Sequence, residues 1–170
     1  MLSMGQNHFS NYLNHRDHFQ KYLKPIYENL GIDVDPFKIY GIIFSSSTPS
    51  NVDISLSDGV YDYFAEKFES EFWAKMKFSA PMFSKQEVNI YFPRFAKSIG
   101  LNMETVELQN FAELKSILIK IRKLYRRAME YGTTRNSSDK NQEIEESGFA
   151  MLTGEFTLWA QSNGFNKQWP

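Results

Sequence analysis

The chain has 170 residues, 42% of them hydrophobic, which is enough for one domain with a substantial core. Its 19 basic and 20 acidic residues give a net charge of −1, which argues against a surface that binds nucleic acid over its whole extent. Without cysteine, the chain excludes disulfides, thiolate nucleophiles and cysteine-based zinc sites. The N-terminus lacks the pattern of a secretory signal, and no apolar run approaches the ~20 residues of a membrane span. We therefore expect a cytoplasmic protein with no transmembrane segment.

Aromatic residues make up 16% of the chain, with 15 Phe, 9 Tyr and 3 Trp. Each buried ring removes a large apolar area from water, so this composition is typical of an aromatic core. Exposed rings can also form a binding surface for a partner, because they offer contact area at a low entropy cost. The core interpretation is favoured, but composition alone leaves both open.

The first predicted element is a helix over residues 6–30, where apolar residues recur every three or four positions. Pro25 is expected to kink or divide this helix, because proline removes a backbone hydrogen bond and clashes with the preceding turn. Gly31 is a plausible end, since glycine readily adopts the left-handed conformation that terminates helices.

A small β element is predicted next. Residues 38–44 (KIYGIIF) are β-branched and aromatic without a helical period, which indicates a buried strand. The polar run 45–51 is a loop, and residues 52–56 (VDISL) alternate apolar and polar side chains, as a half-buried strand does. The sequence therefore predicts a two-stranded hairpin within 38–56.

Capping residues mark three further predicted helices: Ser57 or Asp58 before 59–77, Ser84 with Glu87 before the helix that ends at Gly100, and Asn110 with Glu113 before 111–131. Pro93 is expected to kink the second of these or split it in two. The helix over 111–131 has an unbroken apolar stripe, so we expect it to be buried on one face and to anchor the core.

The C-terminal part begins with residues 132–142, which are polar, lack a period and predict a mobile loop. A last helix is predicted over 143–162, although Gly148 and Gly154 each weaken a helix by about 1 kcal/mol relative to alanine. Two glycines within one helix predict close packing of that helix against a neighbouring element. The predicted architecture is thus mainly α with a minor β part: one globular domain over 1–170, with about five helices and a two-stranded element.

The 111–131 helix also carries the only concentration of charge in the chain. Basic residues on it and just beyond it are Lys115, Lys120, Arg122, Lys123, Arg126, Arg127 and Arg135. Spacings of three and four place Lys120, Lys123 and Arg127 on one stripe, with the others to its sides. Such a face can bind phosphates, an acidic protein or an anionic membrane surface. It can equally be a solvated face that favours the negative end of the helix dipole.

Metal chemistry is weakly indicated. His8, His15 and His18 fall on one helix, but their spacing differs from the H-E-x-x-H pattern that places a base beside zinc. Asp53 and Asp58 flank the second predicted strand and could hold Mg²⁺ as in nucleases, although Asp58 is better explained as a cap. We therefore predict no bound metal and no cofactor.

No motif in the sequence identifies a family or a catalytic site. The favoured interpretation is a non-enzymatic protein that binds a macromolecule, most simply another protein, through its surface. Bacterial immunity or antitoxin-like inhibitors and phage-encoded regulators share these bulk properties, which is an analogy of class. The alternative is a nucleic-acid-binding protein or small metal-dependent nuclease that uses the basic segment 115–135. A homodimer with the aromatic residues at its interface is the third interpretation.

Overall fold

The computed structural model of the protein describes residues 4–79, 84–103, 107–132 and 139–162, and the side chains of 5–77, 84–103, 107–132 and 148–162. Its helices are α1 (Met4–Leu30), α2 (Pro36–Ile43), α3 (Val60–Lys67), α4 (Ala74–Ser79), α5 (Lys85–Ser98), α6 (Phe111–Glu130) and α7 (Asp139–Ser162). A π-helical segment, Phe68–Trp73, joins α3 to α4. The prediction of a mainly α fold is confirmed. Among the described helices, none combines the length and the hydropathy needed to cross a membrane.

Aromatic rings form most of the core. α1 packs against α2 and α6, α3 packs against α7, and the π-helical segment packs against α5. The largest side chains that are fully buried are Tyr40, Tyr61, Tyr125, Phe19, Phe44, Phe64, Phe68, Phe72, Phe92, Phe95, Phe149 and Phe156. Most ring pairs among them meet edge to face, the arrangement that the ring quadrupoles favour. The aromatic surplus therefore lies mainly in the core.

The predicted strand over 38–44 is wrong, because this segment forms most of α2. The side chain of Asp35 accepts hydrogen bonds from the backbone N–H groups of Phe37 and Lys38, at 3.0 and 3.1 Å. Pro36 occupies the first turn, where its missing N–H costs nothing. This cap, together with burial of Ile39 and Ile43 four residues apart, outweighs the β propensity of the segment.

The second predicted strand, over 52–56, is also absent. Within the described ranges there are no strands, only isolated bridges that pair Val34 with Leu101 and Thr48 with Asn51. The segment between α2 and α3 is a loop, closed at its base where the Ser57 hydroxyl accepts the Ser45 N–H at 2.7 Å. The predicted β element is thus replaced by a helix and an irregular loop.

Pro25 and Pro93 were each predicted to kink or divide a helix, and the division does not occur. α1 runs unbroken to Leu30 and α5 to Ser98. A proline inside a helix costs about 3 kcal/mol, which packing of the surrounding turns can offset. Next to Pro93, Phe92 and Phe95 are both fully buried. Tertiary burial on both sides of the proline accounts for the continuity of α5.

Two of the three predicted caps are confirmed. Ser84 and Glu87 form the reciprocal capping box, and the Asn110 side chain accepts the N–H of Glu113 at 3.0 Å. The cap by Ser57 or Asp58 is wrong, because Gly59 precedes α3 in the left-handed conformation and no side chain caps this helix. Ser57 instead bonds to Ser45 at the base of the preceding loop.

α7 differs from its prediction in two respects. It begins at Asp139, so residues 139–142 of the predicted mobile loop are helical, while residues 133–138 lie outside the described part. The expectation of close packing at Gly148 and Gly154 is wrong, because a Cβ atom added at either position would have no neighbour within 4 Å. Both glycines lie on the exposed face, as does Met151, which is 66% exposed.

Two glycine-to-alanine substitutions should change stability in opposite directions. Gly100 ends α5 with φ of +80°, and an added Cβ would lie 3.0 Å from Ile39 Cγ1. We expect Gly100→Ala to lower the free energy of unfolding by about 1–2 kcal/mol, the cost of a left-handed non-glycine residue. Gly154→Ala should raise it by roughly 0.5–1 kcal/mol, because alanine loses less backbone entropy than glycine in a helix and its Cβ would meet no neighbour within 4 Å. Urea denaturation gives the free energy of unfolding of both variants and of wild type. Two variants with the same free energy of unfolding would contradict these expectations.

Candidate functional site

The basic residues of α6 divide into separate groups in the structure. A groove between α1 and α6, with a volume of about 580 Å³, is lined by Ile26, Asn29, Leu30, Lys123, Arg126, Arg127 and Glu130. We call this the α1–α6 groove. Three of the seven basic residues predicted to bind are therefore brought together. Lys123, Arg126 and Arg127 are all exposed, so their charges are accessible from solvent.

Lys120 lies outside this groove, although the sequence placed it on one stripe with Lys123 and Arg127. It lines a second cavity, of about 460 Å³, with Gly31, Asp33 and Glu113 among the other lining residues. Its Nζ lies 3.9 Å from where a Cβ atom on Gly31 would be. Gly31 follows the last residue of α1, so the ammonium group is near the negative end of that helix dipole. A structural role therefore accounts for part of the predicted stripe.

Lys115 and Arg122, the other described basic residues of the predicted set, do not line the groove. Lys115 is exposed one turn after the start of α6, and Arg122 is partly buried. Neither lines the α1–α6 groove or the cavity beside Lys120. Arg135 lies outside the described residues. Of the described residues in the predicted binding set, Lys123, Arg126 and Arg127 thus line the groove near the C-terminal end of α6.

Contacts between α1 and α6 fix the geometry of the groove. The Tyr22 hydroxyl donates to the backbone carbonyl of Arg127 at 2.8 Å and so links the two helices. Arg127 Nη1 also donates to Glu130 Oε2 at 2.9 Å, and this contact raises the pKa of the guanidinium. The pair is exposed and stabilises the fold little. Glu130 therefore positions Arg127 while reducing the net positive charge of the groove.

The sequence missed the apolar and polar residues that α1 contributes to the groove. Ile26 and Leu30 are both partly buried and lie four residues apart, so they share one face of α1. Their spacing is visible in the sequence. Nothing in the sequence, however, shows that the end of α1 packs beside the end of α6, so these residues could not be joined to the basic residues.

The three histidines do not form a metal site. Across the described side chains, no group of three or more His, Asp or Glu residues is close enough to hold a metal ion. His15 instead faces the rings of Phe44, Tyr131 and Tyr40 at 4.9, 5.5 and 5.6 Å, and its Nδ1 lies 3.0 Å from the Tyr40 hydroxyl. It joins α1 to α2 and to the end of α6.

Protonation of His15 should destabilise the fold. Burial lowers the pKa of His15, and repulsion from His18 lowers it further. The unfolded chain then binds a proton near the ordinary value of about 6.5 while the folded chain does not, so the free energy of unfolding should fall as the pH drops below that value. His15→Gln should reduce this pH dependence in urea melts at pH 7.5 and 5.5, whereas His8→Gln at an exposed position should not. An unchanged pH dependence in His15→Gln would refute the assignment.

The acidic residues considered for Mg²⁺ lie apart from the groove. The Asp53 side chain accepts the backbone N–H of Ser55 at 2.9 Å. A hydrogen bond from the Ser55 side chain, together with this backbone contact, lowers the pKa of the Asp53 carboxyl. Asp58 is exposed just before α3. Neither residue lines the α1–α6 groove.

Comparison of the chain with protein-family models, curated proteins and solved structures gave no match. Evidence about function therefore comes from the surface chemistry described above.

Proposed function

We propose that the protein is a non-enzymatic binding protein that holds an acidic segment of another protein in the α1–α6 groove. The observation that carries this proposal is the composition of the groove wall. Lys123, Arg126 and Arg127 supply positive charge on one side, while Ile26 and Leu30 supply an aliphatic strip on the other. A segment with acidic residues on one face and apolar residues on the other would complement both sides.

The mixed wall favours a protein over nucleic acid. A phosphate backbone gains from positive charge but makes little use of Ile26 and Leu30. An acidic amphipathic segment gains from both the apolar and the basic residues.

Small inhibitors that block a partner through their surface would use such a groove. Bacterial immunity and antitoxin-like proteins and phage-encoded regulators belong to this class, and the bulk properties of the chain resemble theirs. This step is an analogy of class and not a match of residues. It adds to the proposal the expectation that binding inhibits the partner.

Affinity purification from the producing organism, followed by mass spectrometry with and without nuclease, tests the type of partner. We expect one enriched protein that stays bound after nuclease treatment and elutes as salt is raised, because screening weakens exposed charge pairs. Recovery that disappears after nuclease treatment would contradict the proposal. It would support the alternative, a nucleic-acid-binding protein or small metal-dependent nuclease that uses the basic helix.

A further inference from the structure

A second exposed surface lies where the N-terminal half of α1 meets α2. We define the α1–α2 surface by Phe9, Tyr12 and Arg16 on α1 and Phe37 on α2. The guanidinium carbon of Arg16 lies 4.7 Å from the centre of the Phe37 ring and 5.5 Å from that of Tyr12. A flat cation is thus held against two rings, which reduces the conformational freedom it would lose on binding.

Two phenylalanines on this surface are left in contact with solvent. Phe9 is 50% exposed and Phe37 is 53% exposed, in a protein whose other described phenylalanines are buried. Residues 5–11 are exposed throughout, so the first turns of α1 are accessible from solvent. Exposed aromatic rings beside an arginine have the composition of the centre of a protein interface.

Arg16 has hydrogen-bonding capacity that the described residues do not use. Its Nε is buried without a hydrogen-bond partner, as is Nε2 of Gln20 one turn later on α1. No described carboxylate forms an ion pair with Arg16. The Asp35 carboxylate, next to α2, is already engaged in capping that helix. This part of the surface therefore carries a positive charge that no described carboxylate pairs with.

We propose that the α1–α2 surface docks a protein segment that places a carboxylate on the guanidinium of Arg16 and apolar side chains against the exposed rings of Phe37 and, two turns away on α1, Phe9. Charge complementarity decides the occupant. The four residues that define this surface include no carboxylate, so a second copy of it would leave both Arg16 charges without a counter-ion, and a symmetric dimer is disfavoured here. An acidic segment supplies the opposite charge.

This surface is separate from the α1–α6 groove and does not depend on its proposed role. Arg16 and Ile26 are ten residues apart on α1, which corresponds to about 15 Å along the helix axis. Substitutions at one surface can therefore be made without altering the lining of the other, and the two proposals can fail independently.

Selection of random 16-residue peptides displayed on phage against the full chain tests the proposal. We expect one group of selected peptides to combine acidic with aliphatic or aromatic residues. Arg16→Met, which keeps an apolar stem against Phe37 but removes the charge, should weaken these peptides at least tenfold. Phe37→Ala should have a similar effect, and Arg16→Lys a smaller one, because lysine retains the charge without the planar stack.

Matched variants separate binding from folding. Ile90 on α5 is 49% exposed, so Ile90→Ala removes a comparable exposed apolar side chain and should leave peptide affinity unchanged. The midpoints of thermal unfolding of all variants should agree within a few degrees.

If no peptide is selected, or if every selected peptide binds Arg16→Met as tightly as wild type, the proposal is overturned. Single-stranded oligothymidine that binds wild type and loses affinity in Arg16→Met would also overturn it, in favour of a nucleic-acid surface.

Discussion

Leu124→Ala should lower the free energy of unfolding by about 2–5 kcal/mol, and Leu118→Ala by a similar amount. Leu124 is fully buried and Leu118 is 4% exposed, both on the apolar stripe of α6. Truncation to alanine removes their contacts and leaves a cavity that surrounding aromatic rings can fill only in part. Equilibrium unfolding in urea gives the free energies directly.

Ile119 provides a control on the same helix. It lies next to Leu118 but is 44% exposed, so Ile119→Ala should change the free energy of unfolding by less than about 0.5 kcal/mol. Comparing Ile119→Ala with the two leucine variants separates the effect of burial from that of helix propensity, because helix propensity favours alanine at all three positions. If both leucine variants cost less than half a kcal/mol, α6 does not anchor the core and the packing described above is wrong.

The helices predicted best from the sequence are those in which the capping residue and the apolar periodicity indicate the same helix. α6 has a capping residue, a long apolar stripe and a charged outer face, and each signal indicates the same helix. The helix of Lys85–Ser98 was found from Ser84 and Glu87 in the same way. Pro93 was predicted to kink or split this helix, and the split does not occur because burial of the neighbouring rings offsets the local cost of the proline.

The region between residues 35 and 57 was mispredicted because its local signals conflict. KIYGIIF has the composition of a strand, but Asp35-Pro36 before it forms a helix start whose cap was overlooked. With no strand at 38–44, the alternating residues 52–56 have no partner to pair with. Their loop is closed by a hydrogen bond between the hydroxyls of Ser45 and Ser57. These residues are twelve positions apart, and a local sequence pattern does not predict such a contact.

The candidate site was predicted in part. The sequence showed that the outer face of α6 is basic, and the structure keeps Lys123 and Arg127 together. It replaces Lys120 with Arg126, because Lys120 lies beside Gly31 at the end of α1. Which basic residues share a groove depends on where α1 crosses α6, and this is a tertiary property that helical spacing does not determine.

Reversing the charge of the groove should abolish partner binding. The variant that combines Lys123→Glu, Arg126→Glu and Arg127→Glu removes every cation that lines the α1–α6 groove among the residues that the structure describes. We expect it to fold, because all three residues are exposed and charge changes there cost a few tenths of a kcal/mol each. Lys120 is left unchanged so that the end of α1 is not disturbed.

A control with the same change in net charge combines Lys21→Glu, Lys75→Glu and Lys115→Glu, all exposed and all outside the groove. The decisive measurement is the dissociation constant of the purified partner for wild type and both triple variants, at low and high salt. We predict at least a hundredfold weaker binding for the groove variant, less than threefold for the control, and wild-type binding that weakens with salt. A folded groove variant that binds with wild-type affinity at both salt concentrations would show that the basic face of α6 is only solvated and would refute the proposed function.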